Sequence, residues 1–390
     1  MALLIASLSC VIWVYLLAAR GGFWRAAQRD DARTAMPAEV RSWPRVVAVV
    51  PARDEAAIIG ESIASLLQQD YRGDFAVIVV DDHSSDGTAA VAGRAATAAG
   101  ASGRVTILSA PPLPGGWTGK LWAQHHGINH AQTLPEPPDY LLLTDADVHH
   151  ADDTLTELVL RAVHDRTVST SLMASLNCEK LAERAMVPAF IFFFQMLYPF
   201  AWVNRANRPT AAAAGGCMLV HRQSLQAAGG IEAIRGELID DCALARLLKS
   251  HGPIWLGLTR RVRSVRACAT VGEIRGLIVR SAYAQLHFSP GWLAFTTAAM
   301  LVVYVAPPLM TLFASGMPQF LGMLAWVFMT LAFQPTLRFY RVSPLWGVAL
   351  PAIAASYLVF TLESAYWHAR GRGGEWKGRV HCRVPGRRHL

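Results

Sequence analysis

Residues 45–55 read RVVAVVPARDE, and residues 75–88 read FAVIVVDDHSSDGT. Each is an unbroken apolar run ending in a cluster of acids. A helix-like stretch follows each one, EAAIIGESIASLLQQ after the first and TAAVA after the second. Strands that are apolar at every position, rather than at alternate ones, are covered on both faces, as in a parallel sheet flanked by helices. RVTILSA (104–110) and YLLLTDADV (140–148) supply two further strands. The pattern predicts a doubly wound, nucleotide-binding α/β domain over residues 44–286. Ligands of such sheets bind at the carboxyl ends of the strands, which is where the acids fall.

Outside that domain the composition changes. Of 390 residues, 53% are hydrophobic and 16% charged, and the mean hydropathy is +0.28; a soluble protein carries about 25% charged residues. Part of the chain therefore belongs in lipid, and an intrinsically disordered protein is excluded. Cys10, Cys178, Cys217, Cys242, Cys268 and Cys382 form no CxxC pair, so isolated thiols in a reducing compartment are expected rather than a zinc site or a disulfide scaffold. The net charge is +8, but seven basic residues against Glu375 lie in 369–390 (Arg370, Arg372, Lys377, Arg379, Arg383, Arg387, Arg388). A basic tail beside an apolar segment suits anionic lipid at a cytoplasmic membrane face. No basic stripe with interleaved aromatics points to nucleic acid.

Ala2 to Ala19 is uncharged and long enough to span a hydrocarbon core of about 30 Å. Arg20, Arg25, Arg29 and Arg33 follow it, which predicts a retained anchor over 1–20 with the next domain in the cytoplasm, at the inner membrane. Trp292–Ser315, Phe320–Gln334 and Leu345–Tyr366 are three more apolar stretches within 291–368, with Pro307, Pro308, Pro335 and Pro351 allowing broken helices. Three full crossings would place the basic tail outside, so the number of crossings stays open. Met186–Val203, inside the soluble region, reads either as a helix in the headgroup layer or as a buried core helix.

The first strand delivers Pro51, Arg53, Asp54 and Glu55. The second ends in Asp81 and Asp82, with Ser84, Ser85, Asp86 and Thr88 in its loop. A carboxylate at a strand tip accepts hydrogen bonds from a ribose hydroxyl or a base N–H; helix capping explains Asp86 or Ser85 but not Asp81 or Asp82. Asp145 and Asp147, two apart in extended chain, share a face and can hold one hard divalent cation that also bridges a diphosphate. His149 is on the same face, as a ligand or a solvated loop residue, and His150 has no assignment. GGWTGK (115–120) fails the phosphate-loop pattern at Pro114 and Leu121. It reads either as a glycine loop presenting Trp117 and Lys120 to a diphosphate or as a surface turn. After AAAAGGCMLVHR (211–222), Asp240 and Asp241 stand where a helix begins; the helix dipole accounts for one acid, and the second is a candidate general base.

The set VVPARDE, VVDDHSSDGT, GWTGK, LLLTDADV and IDD resembles the family 2 glycosyltransferases, inverting enzymes with a GT-A fold, a Rossmann-like mixed sheet. The flanking membrane segments and WKGR (Trp376–Arg379) resemble the hopene-associated subgroup. The resemblance implies a nucleotide-sugar donor, with Asp54 or Glu55 and Asp82 near the nucleoside, Pro51 in the donor site and Lys120 near the diphosphate. It further implies Mg²⁺ or Mn²⁺ between Asp145 and Asp147, with Asp241 as the base that deprotonates the acceptor hydroxyl, a hopanoid or other polyisoprenoid lipid. Trp117, Asp240 and Arg280 are candidate acceptor or diphosphate contacts. The QxxRW motif of processive relatives is missing from RGLIVRSAYAQLHFSP (275–290), where Arg275 or Arg280 could supply the cation and Tyr283 or Gln285 an acceptor contact. A nucleotidyltransferase of similar sheet would use the paired acids and a metal without needing Asp241; a non-catalytic membrane scaffold would bind without turnover.

Overall fold

The computed structural model describes residues 1–31, 42–373, 375–376 and 379–380. Arg33, Cys382 and most of the basic tail, with the side chains of Trp376 and Arg379, fall outside them. The chain forms two compact units. Of the described residues, one holds those of 28–177 and 202–267; the other holds those of 1–27, 178–201 and 268–373.

The first unit is built on one eight-stranded sheet of β1 (Val46–Ala52), β2 (Phe75–Asp81), β3 (Val105–Ser109), β4 (Tyr140–Thr144), β5 (Val148–His150), β6 (Ser169–Ser175), β7 (Cys217–His221) and β8 (Ile254–Ser264). Their order is β3-β2-β1-β4-β7-β6-β8-β5. The first four are parallel, as the continuous apolar runs predict; β7 then runs antiparallel to β4 and β6, so the sheet is mixed. Every residue of β1 is buried, because helices cover both faces at this central position. Val46, Val77, Ile63, Leu66, Leu142 and Leu158 belong to a single core. One of the covering helices, Gly119–Gln132, approaches so closely that a Cβ at Gly127 would lie 2.6 Å from a Val49 methyl and 2.9 Å from one of Val80. Glycine there lets the helix, and Lys120 at its start, sit low on the sheet.

The second unit is helical. Among the described residues, five helical segments are long and apolar enough to cross a membrane: Ala2–Ala19, Leu181–Val203, Pro290–Phe313, Met317–Phe339 and Trp346–Ala369. Pro335 and Pro351 lie inside helices without breaking them, whereas the stretch from Pro290 changes to a π-helical turn at Leu301–Val305. A π turn disturbs the i→i−4 ladder, and Trp13 donates its indole N–H to the Val303 carbonyl at 2.9 Å. Segment 186–203 proves longer at its start. It is helical from Leu181 to Leu197, with Met186, Ile191, Phe192 and Gln195 buried, the burial expected of a packed core helix. Residues 268–286, read from sequence as the end of the α/β domain, cluster here instead. The helix Val271–Gln285 buries Ile274 and Ile278 in the helical core, Tyr283 is also buried, and Arg275 pairs with Glu363 at 2.6 Å. Cys10, Cys178, Cys217, Cys242 and Cys268 are free thiols.

Candidate active site

The carboxyl ends of β1, β2 and β4 carry the acids foreseen for them, and the way these acids are held differs from one strand to the next. At the tip of β1, Asp54 adopts a left-handed backbone (φ 50°) and accepts hydrogen bonds from Ser85 N (2.8 Å) and Ser85 Oγ (3.2 Å). Its own N–H donates to Ser84 Oγ at 2.9 Å, so Asp54 ties its turn to the HSSDGT loop. Glu55 N donates to Thr88 Oγ1 and Ala56 N to Asp86 Oδ2. Hydrogen bonds from Thr88 hold the Asp86 carboxyl below its ordinary range. Asp82 is fully buried; Arg53 donates to its carbonyl at 2.6 Å and lies 3.6 Å from its carboxylate. Pro51 is buried within β1 opposite Val80.

Asp145 and Asp147 do not continue an extended strand. β4 ends at Thr144, and the chain turns through Ala146 and Asp147 before β5. The two carboxylates therefore meet different cations. Lys120 Nζ lies 2.9 Å from Asp145 Oδ1 and 3.0 Å from Asp240 Oδ2. Arg266 places Nε 3.0 Å from Asp147 Oδ2 and Nη2 2.5 Å from Glu55 Oε2. His149 sits in β5 opposite Arg263, and His150 is buried with Nε2 3.0 Å from Thr144 Oγ1.

Lys120 reaches its place because GGWTGK forms a helix start. Thr118 Oγ1 accepts from Leu121 N at 3.3 Å, while Thr118 N donates to the Arg235 carbonyl at 2.9 Å, which joins this loop to the segment leading to Asp240. Trp117 stands beside it against Trp122 and His125, with ring centroids at 5.1 and 4.8 Å. Burial alone would lower the Lys120 ammonium; Asp145 and Asp240 outweigh it and hold the pKa well above the usual value.

Asp240 and Asp241 open the helix Asp240–Lys249. Asp241 Oδ2 accepts from Gly215 N at 3.0 Å and Oδ1 from Cys242 N at 2.7 Å. Ser171 in β6 bonds both N and O of Ala214 and so fixes the loop that carries Gly215. A Cβ on Gly215 would come within 3.2 Å of Lys120 Nζ, so the missing side chain leaves room for the ammonium. Burial, then the neighbouring Asp240 charge, push the Asp241 carboxyl up to about 6. Asp240, Asp241, Gly215, Leu121, Gln124 and Leu143 line a small pocket.

Sequence motifs thus converge at Lys120, Asp145, Asp240 and Asp241, with Asp147 and Glu55 joined through Arg266. Arg280 is exposed on the helix Val271–Gln285 in the helical unit. Arg266 and Gly215 were not singled out from sequence. Arg266 follows strand β8 with no motif around it, and Gly215 is one of two adjacent glycines in a small-residue loop. The donor set suits a hard divalent cation: Asp145 and Asp147 offer oxygen ligands, and such a cation usually takes its remaining positions from phosphates and water. Among the described residues no group of three or more metal-ligating side chains exists, so the protein alone offers an incomplete shell.

Comparison with known proteins bears on the fold. Residues 47–229 match the model of glycosyl transferase family 2. No curated protein sequence matches the chain. Among solved structures, the mannosyltransferase PcManGT from Pyrobaculum calidifontis, in complex with GDP-Man and Mn²⁺, aligns over 94% of this chain and 99% of its own, at 19% identity and a TM-score of 0.55. Mannosyl-3-phosphoglycerate synthase from Rubrobacter xylanophilus aligns over 69% and 84%, at 16% identity and a TM-score of 0.41. The fold of this chain is a mixed α/β sheet of the GT-A type, accompanied by apolar helices long enough to span a membrane.

Proposed function

We propose that the protein is a membrane-bound, inverting glycosyltransferase that moves a sugar from a nucleotide-diphosphate donor to the hydroxyl of a lipid, a hopanoid or another polyisoprenoid. The observation that carries this reading is the junction at Lys120, where a cation fixed at a helix start contacts the Asp145 and Asp240 carboxylates beside a pocket lined by Asp241. Support comes from the family 2 match and from the PcManGT complex, which holds a nucleotide sugar and Mn²⁺.

On this reading the loop at Asp54, Asp82 and Ser84 receives the nucleoside, and Lys120 faces the diphosphate. Asp145 and Asp147 would hold Mg²⁺ or Mn²⁺, which when bound neutralises charge on a departing diphosphate. Asp241 takes the acceptor proton. Its oxygens are aimed by Gly215 N and Cys242 N, and a carboxyl near 6 is ionised at neutral pH while more basic than an exposed aspartate. One in-line displacement at the anomeric carbon follows, with inversion and without a covalent sugar intermediate. The five apolar helical segments favour a lipid acceptor, and Arg20, Arg25 and Arg29 after the first of them favour a cytoplasmic α/β unit at the inner membrane.

The experiment is a panel of labelled nucleotide sugars given to membranes holding the protein, with Mg²⁺ or Mn²⁺ and lipid extract. Label in a lipid product, of opposite anomeric configuration to the donor, is expected. Label in no lipid while donor still binds would refute the lipid acceptor.

A further inference from the structure

The cations that neutralise the two DxD carboxylates are of different kinds. Lys120 is held among Asp145, Asp240 and the Gly215 loop, and its side chain is 21% exposed. Arg266 is 39% exposed and joins Asp147, in the turn before β5, to Glu55, just past the end of β1. Its backbone is anchored while its side chain is not enclosed. Asn177 Nδ2 and Ser264 Oγ donate to the Arg266 carbonyl, and Val265 N donates to the Asp147 carbonyl at 2.7 Å. The end of β8 is thereby laced to the turn that carries Asp147, which keeps the guanidinium within reach whether or not it is paired.

Asp147 Oδ2 is the oxygen that Arg266 Nε occupies at 3.0 Å. A divalent cation drawn to Asp147 would stand beside a fixed positive charge, and two like charges a few ångströms apart repel. We propose that Arg266 is the resident counter-ion of the metal site, holding Asp147 and Glu55 in the free protein and competing with the divalent cation for Asp147. Arg266 is thus a positioning residue that keeps metal affinity low until a donor diphosphate arrives with extra oxygen ligands and negative charge. Metal and donor then bind together rather than in either order, and the free protein stays charge-compensated at an otherwise strongly acidic strand edge. This inference rests on the reading of Asp145 and Asp147 as metal-holding.

The test is a titration of the purified full-length protein in detergent with Mn²⁺ alone, without nucleotide sugar, with free Mn²⁺ followed by its electron paramagnetic resonance signal. Arg266→Gln removes the charge and is expected to tighten Mn²⁺ binding about tenfold. Arg266→Lys keeps the charge but loses the fork that joins both acids, and is expected to bind Mn²⁺ with an affinity between those of wild type and Arg266→Gln. Adding Asp147→Asn to Arg266→Gln removes the gain. A mere loss of structure would weaken binding in the Gln variant, the opposite direction. If Asp147→Asn weakens binding in the wild-type background while Arg266→Gln leaves it unchanged or weaker, the counter-ion role is refuted and the metal site stands. If Asp147→Asn has no effect with or without a nucleotide sugar, the metal reading fails and the inference falls with it.

Discussion

Asp241 is held by two backbone N–H groups and sits beside Asp240 and Lys120, so its basicity is set by burial and by fixed neighbours. On the proposed mechanism Asp241→Asn keeps the shape and removes the base. Transfer is expected to fall by about 10²- to 10⁴-fold with donor affinity unchanged, measured by turnover beside equilibrium donor binding. The pH profile carries the same signature. The base works ionised and its carboxyl is pushed up to about 6, so kcat/KM should be level above that pH and fall with each unit below it. A profile level down to pH 5 would remove Asp241 from the role. Gly215→Ala probes the same junction from the other side: its Cβ would press on Lys120 Nζ at 3.2 Å, a flexible end that can shift, so a loss of about three- to tenfold in activity with little change in Tm is expected. Asp240, Asp241 and the acids at the strand ends were legible in sequence, where an acid closes a recognisable strand or opens an amphipathic helix; Gly215 was not. Arg266 was not, because its partners Asp147 and Glu55 lie 119 and 211 positions away and no local pattern records such a pairing.

Among the elements, the helix Gly119–Gln132 links packing to chemistry, since its position sets that of Lys120. Gly127→Ala would force a methyl to within 2.6 Å of Val49 and lift the helix from the sheet. Overpacking of this kind costs about 1–3 kcal/mol and should appear as a lower Tm together with reduced activity. Thr118→Ala removes the side chain that caps the helix start, at about 1 kcal/mol. A variant with unchanged Tm and activity would show that the cap does not position Lys120. The parallel half of the sheet was readable because β1, β2 and β4 are unbroken apolar runs. The other half was less so. β6 reads STSLMAS, yet Ser169, Thr170 and Ser171 are buried, their strand recognisable only once partners such as Thr167 and Ala214 are known. β5 has only three residues, too few for a period to show, and it is the turn before β5 that separates Asp145 from Asp147.

For the whole molecule, the two units interleave along the chain, and this limits how it can be cut. Residues 178–201 fall between two parts of the α/β unit but pack with helices from the C-terminal third. Phe192 meets Phe333 at 5.2 Å between ring centroids, and Tyr357 donates to the Met186 carbonyl at 2.9 Å. Removing residues after 267 would uncover Met186, Phe192 and their neighbours, each representing about 1.5–3 kcal/mol of lost burial. The fragment 28–267 is therefore expected to aggregate unless detergent is present, as measured by size-exclusion chromatography; a monodisperse detergent-free fragment would contradict this account of the helix Leu181–Leu197. The extent of the helical unit was visible in composition, but its claim on residues 268–286 was not, since Ile274, Ile278 and Tyr283 fit an amphipathic helix on either unit.

The central claim is sugar transfer to lipid with Asp241 as base. Its most direct test is mass spectrometry of lipids from membranes given a labelled nucleotide sugar and Mn²⁺, with wild type and Asp241→Asn side by side. Metal-dependent label in a lipid product, lost in the variant, is the predicted result. Equal labelling by both proteins, or silence from both while donor binding persists, would contradict it.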